Sequence, residues 1–184
     1  VVFGFCAVAM IGIMVYFSCI DTKTDLGSFE RIIRFNDIWG THRGFMWVRS
    51  IWIFGDASFI EKLFGVGPDM FYSAFSPYFD DLSKYGDSST NAAHNEYLNY
   101  LITIGITGLL SYLAIVCGTI KNAVKYAKEN PMLIACVSAV ICYAVQSVVN
   151  LYQPITTPLF FIFIALCEAF VRNAKAEKSA VSAV

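Results

Sequence analysis

Charge is scarce in this sequence, and cysteine is missing from the one stretch where it could be paired. Lys, Arg, Asp and Glu make up 15% of the 184 residues, against 57% hydrophobic residues and a mean hydropathy of +0.60. That is too little charge to wet the surface of a soluble domain of this size, so a membrane is the expected solvent. The net charge of −1 gives no global basic field, which argues against a nucleic-acid partner. All six cysteines fall in apolar runs, none lies in the polar stretch 21–95, and no C-x-x-C spacing occurs. They read as small apolar residues, and neither a metal nor another cofactor is expected. The first apolar run also lacks a basic leader and a small-residue cleavage site, so it is not a signal peptide.

What is present is apolar length. Residues 1–20 carry no charge, and about 20 helical residues cover a hydrocarbon core of about 30 Å. Further spans are expected at 96–120, 132–149 and 155–171. The fold class is therefore all-α, a polytopic membrane protein with about four transmembrane helices. The connection 121–131 carries Lys121, Lys125 and Lys128, and the tail 172–184 carries Arg172, Lys175 and Lys178, whereas the turn 150–154 has no basic residue. Short basic connections stay in the cytoplasm. Residues 21–95 then form one large extracytoplasmic loop, too long to be a mere connector. Since the sequence starts at Val1 inside an apolar run, it is expected to be the C-terminal part of a longer protein.

Within the loop the periodicity predicts short interfacial helices. Phe29, Ile32 and Ile33 share one side of a short amphipathic segment, and Phe45, Val48, Ile51 and Trp52 continue at helical spacing. Trp39, Trp47 and Trp52 suit headgroup depth. Asp56 is the expected cap of a further turn that stops at Gly65-Val66-Gly67-Pro68. Past Pro68 the periodicity is lost, and Phe71, Tyr72, Phe75, Tyr78, Phe79 and Tyr85 suit a lid or sugar-stacking surface, or equally an aromatic loop wedged among headgroups.

The loop ends in Asn91-Ala92-Ala93-His94-Asn95-Glu96-Tyr97. With Asn91 as N-cap, His94 falls in the first helical turn, where the helix dipole disfavours imidazolium. A neutral imidazole can act as a general base; it can equally be a polar residue that seats a helix end.

Spacing adds what chemistry alone does not. His94-Asn95, nine residues and then Gly105-Ile106-Thr107-Gly108 resemble the H-N-x9-G-x-x-G signature of the O-antigen ligase and O-antigen polymerase superfamily. Arg43 four residues before Trp47 resembles its R-x-x-x-W element, and Gly65-Val66-Gly67-Pro68 its G-x-G turn, in the same order. The resemblance implies a GT-C-like, metal-independent, inverting glycosyltransferase of the bacterial inner membrane, active on the extracytoplasmic face. Its donor would be an undecaprenyl pyrophosphate-linked glycan and its acceptor a saccharide or lipid core. Carried over by position, His94 is the candidate base and Arg43 the candidate pyrophosphate clamp. Arg34 and Arg49 are alternates for the second phosphate, with headgroup binding left open, and Asn95, Gly65 and Gly67 complete the substrate-binding set. A serine-arginine-glycine element of that superfamily has no counterpart here, and the fragment alone is expected to be inactive. A lipid-linked glycan flippase or transporter, or a non-enzymatic membrane protein, remains the alternative.

Overall fold

A computed structural model describes residues 2–128 and 130–182. Val1 of the first expected span, Glu129 of the lysine connection and the last two residues of the tail lie outside them. Helix α1 (Val2–Val15) runs into a π-helical turn at Tyr16–Ile20. A 3-10 turn (Gly27–Phe29) leads into the short α2 (Glu30–Ile33), and α3 (Trp39–Asp56), α4 (Phe59–Phe64), α5 (Phe71–Phe75) and α6 (Phe79–Ser83) follow. The C-terminal half consists of α7 (Glu96–Thr103), α8 (Gly105–Tyr126), α9 (Pro131–Gln146) and α10 (Thr156–Ser182). Among the described residues there is no strand, as the all-α reading requires.

Local chemistry explains the boundaries. Ser58, rather than Asp56, caps α4: its hydroxyl accepts from Glu61 N, and its own N–H donates to the Glu61 carboxylate at 2.9 Å. This is a reciprocal capping box. Asn130 caps α9, with Pro131 in the first turn, where its missing N–H costs nothing. The expected single span 96–120 is broken at Ile104, because Gly105 takes a φ of +69° and α8 starts in a new direction. Residues 172–182 of the expected tail are helical, continuing α10 to Ser182.

Two cores result. Tyr112, Val116, Leu133, Val140, Phe160 and Cys167 knit α8, α9 and α10 together. A second core of Phe45, Met46, Phe71, Phe75 and Leu82 is closed by Ala93 and by Ile102 of α7. Of the aromatic stretch after Pro68, Phe71 and Phe75 are therefore core residues, buried and stacked at 5.4 Å, while Tyr72 stays exposed. Large apolar side chains that no neighbour covers line the outsides of α8, α9 and α10, among them Leu110, Ile115, Ile134, Val145, Phe161 and Ile162. A hydrocarbon solvent covers such surfaces at no cost, whereas water does not. Among the described residues one helix, Gly105–Tyr126, is both long and apolar enough to cross a membrane; Ala9–Ile20 and Pro131–Gln146 are apolar but shorter.

Candidate functional site

Where the second core meets the loop end, a cavity of about 690 Å³ opens. Arg43 and Thr41 form one wall, His94 and Asn91 another, and Tyr72 and Asp87 lie at its sides. Arg43 reaches it because residues 40, 41 and 42 each take positive φ, making a left-handed turn at the head of α3. Its Nη1 donates to Gly40 O at 2.9 Å, while its Nε is buried without a hydrogen-bond partner. Among the described residues no carboxylate pairs with Arg43.

His94 does not sit in the first turn of α7, as capping by Asn91 would require. Asn95 is the N-cap, its side chain accepting from Leu98 N at 3.0 Å, and His94 precedes it with a φ of +50°. That left-handed conformation is costly for a residue with a Cβ. Burial holds the imidazole pKa below its ordinary value, the Arg43 charge lowers it further, and Asp87 opposes both. The neutral ring is thus favoured, for a reason different from the helix dipole.

Glu96 anchors this turn. It is 1% exposed, accepts from Tyr100 Oη at 2.8 Å and Ser147 Oγ at 2.7 Å, and its N–H donates to Ser147 O at 2.9 Å. The end of α9 is thus tied to the residue two places after His94. Glu96→Ala strands buried hydroxyls, so the protein should lose about 1–3 kcal/mol of stability, read as a lower unfolding midpoint in detergent micelles. An unchanged midpoint would contradict the anchor.

The other sequence candidates are placed elsewhere. Arg34 is fully engaged, with Nη1 on both Glu30 oxygens at 2.7 and 2.9 Å, Nε on Phe17 O, and Nη2 on the carbonyls of Asp21 and Thr24. Arg49 forks onto Asp37 at 2.7 and 3.0 Å and lies 4.1 Å over the Phe45 ring. With both forks occupied, these arginines brace the loop and do not line the cavity. Asn95 is a capping residue. Gly65 and Gly67 lie against α7, where Val66 N and Gly67 N donate to Ile102 O and Thr103 O at 2.9 and 3.0 Å. They too are absent from the cavity wall.

One charged lining residue, Asp87, is not singled out as a site residue by the sequence. Asp87 lines the cavity and lies 3.5 Å from His42 Nδ1, while the His42 ring packs on Tyr85. The carboxylate gives no periodic signal in a polar loop, and only the fold brings it toward both histidines. Among the described residues no three His, Cys, Asp or Glu side chains gather as a metal site.

The architecture and cavity define an all-helical protein with apolar outer helix faces, whose loop layer presents a guanidinium without a carboxylate partner among the described residues, beside an imidazole of lowered pKa. The chain belongs to the O-antigen ligase family, whose sequence pattern matches residues 1–113. Membership places it in bacterial inner-membrane polysaccharide biosynthesis, with a glycosyltransferase-like activity. No curated protein and no solved structure matches the chain.

Proposed function

We propose that this chain transfers or polymerises glycan from an undecaprenyl pyrophosphate carrier onto an acceptor hydroxyl, without a metal and with inversion. In this reading residues 21–95 lie on the extracytoplasmic face, and segments 1–20, 96–120, 132–149 and 155–171 traverse the bilayer, the second of them bent at Ile104. The observation that carries the reading is the Arg43 guanidinium, which has no carboxylate partner among the described residues and whose Nε is buried without a hydrogen bond, in the wall of the cavity that also holds His94.

A planar fork of donors that never loses its charge matches phosphate oxygens. His94 takes the proton from the acceptor hydroxyl, the oxygen attacks the anomeric carbon, and the bond to the pyrophosphate oxygen breaks on the far side. The leaving pyrophosphate gains charge in that step, and Arg43 offsets it.

The test is Arg43→Gln in the protein as it stands in its own membrane. Transfer from lipid-linked donor should fall about 10²-fold, the scale for one donor aimed at developing charge. Arg43→Lys should recover only part of this, because an ammonium cannot make the two-pronged contact. Wild-type transfer by Arg43→Gln would remove the clamp from the reading, and a retained linkage in the product would remove the single displacement.

A further inference from the structure

The His94 cavity has a neighbour on the other side of Asn91. That residue is also a wall of a recess of about 120 Å³, whose far side is Leu151 and Tyr152 in the connection between α9 and α10. Tyr152 in turn lines a second cavity, of about 470 Å³, together with Asn99, Tyr100, Thr103 and Asp69. The three hollows are thus neighbours in series, Asn91 standing between the first two and Tyr152 between the last two.

The chemistry of the far cavity is particular. Asn99 is 5% exposed and lines it, yet its Oδ1 is buried without a partner. The Asp69 carboxylate and the Tyr152 hydroxyl stand at the exposed side of the same cavity, Tyr152 being 42% exposed, so both are open to a ligand. Thr103 Oγ1 donates to Asn99 O and keeps its acceptor lone pairs free. Tyr100 spends its hydroxyl on Glu96, leaving its ring to the cavity. Buried polar groups without partners are rare in finished structures and mark places where something else supplies the bond.

We infer that this far cavity is a saccharide subsite, set in series with the His94 cavity beyond Asn91 and Tyr152, and that it holds sugars several units from the reacting bond. The inference rests on the glycan-transfer reading of the His94 cavity. The walls carry a carboxylate and no cation, which disfavours the pyrophosphate end of a carrier, and their partnerless amide oxygen and open hydroxyl disfavour a lipid tail. A neutral, hydroxyl-rich chain both donates and accepts, and its apolar ring faces fit aromatic walls. The shared chemistry is that of the glycan in donor or acceptor.

The experiment is a titration in nanodiscs, in a His94→Ala background that removes turnover. The probes are oligosaccharides of three repeat units, obtained by partial acid hydrolysis of the producing cell's own polysaccharide, and the lipid-linked single repeat. Tyr152→Ala and Asn99→Ala should each weaken at least one probe about tenfold, the loss expected when a site's hydrogen-bonding or stacking group is removed. Phe59→Ala, on the outer face of α4, should weaken neither. Weakening of the free oligosaccharide alone assigns the subsite to the acceptor; weakening of the lipid-linked repeat assigns it to the donor glycan. Unchanged affinity for both probes in Tyr152→Ala, an exposed position that leaves folding intact, overturns the inference. Transfer activity of the single His94→Ala variant is read separately. Wild-type turnover there would sink the catalytic reading while the titration still decides whether the far cavity binds saccharide.

Discussion

His94→Ala is expected to lower glycan transfer about 10²- to 10⁴-fold, the range for loss of a positioned general base. The cavity and the Arg43 side chain are left in place, and shortening a left-handed residue to alanine adds no bulk. Binding of donor should therefore survive, so the fall should appear in the chemical step. The pH profile gives an independent reading. Burial, and then the Arg43 charge, hold the imidazole pKa below its ordinary value of 6.5. A base must be unprotonated, so activity should be flat at neutral pH and decline only as the pH falls through that depressed value. Arg43→Gln removes one of the lowering influences, and the acid limb should move up toward 6.5. Asp87→Asn removes the opposing one, and the limb should move down. A profile that ignores both neighbours, or full activity in His94→Ala, would falsify the base assignment.

The residues of the His94 cavity differ in how much of their placement could be read from sequence. His94 and Arg43 were legible because each stands in an ordered, spaced pattern, and the structure sets them in one cavity. Arg34 and Arg49 carry the same chemistry as Arg43, and charge alone cannot separate them. Arg34 meets Glu30 four residues back, a local pairing that helical spacing allows, whereas Arg49 reaches Asp37 only once the chain turns before α3, which depends on the fold. The capping error has a similar origin. Asn91 and Asn95 are equally good caps by residue type, and Asn95 prevails because Glu96 is already held by Ser147, far along the chain. The run from Phe71 to Phe79 lost its helical rhythm because it is built of single turns joined by a 3-10 segment. Such pieces are too short to show a period, yet their aromatic rings fill a core.

Gly65→Ala and Gly105→Ala are expected to deplete the folded protein, a different outcome from the one a substrate-binding glycine would give. The G-x-G turn and the helix-break glycine touch each other: a Cβ at Gly65 would overlap the backbone of Thr103 and Ile104, and one at Gly105 would overlap the backbone of Leu63 and Gly65. Thr107 Oγ1 adds a hydrogen bond to Leu63 O at 2.7 Å. Both glycines also take left-handed φ, +77° and +69°. Strain and backbone overlap together should cost about 2–6 kcal/mol at either site, a large part of a typical domain's stability of about 5–15 kcal/mol. Gly67→Ala should be milder, since at its φ of +117° a Cβ meets only the flexible Met70 side chain. Gly55→Ala, in open space near the end of α3, should change little. The measurement is the amount of each variant in the membrane fraction and its unfolding midpoint in detergent. If Gly65→Ala accumulates and melts like Gly55→Ala but loses transfer, the turn serves the substrate directly. The expected order instead makes it the joint that bends the helix at Ile104 and fixes where α7, and with it His94, stands over the cavity.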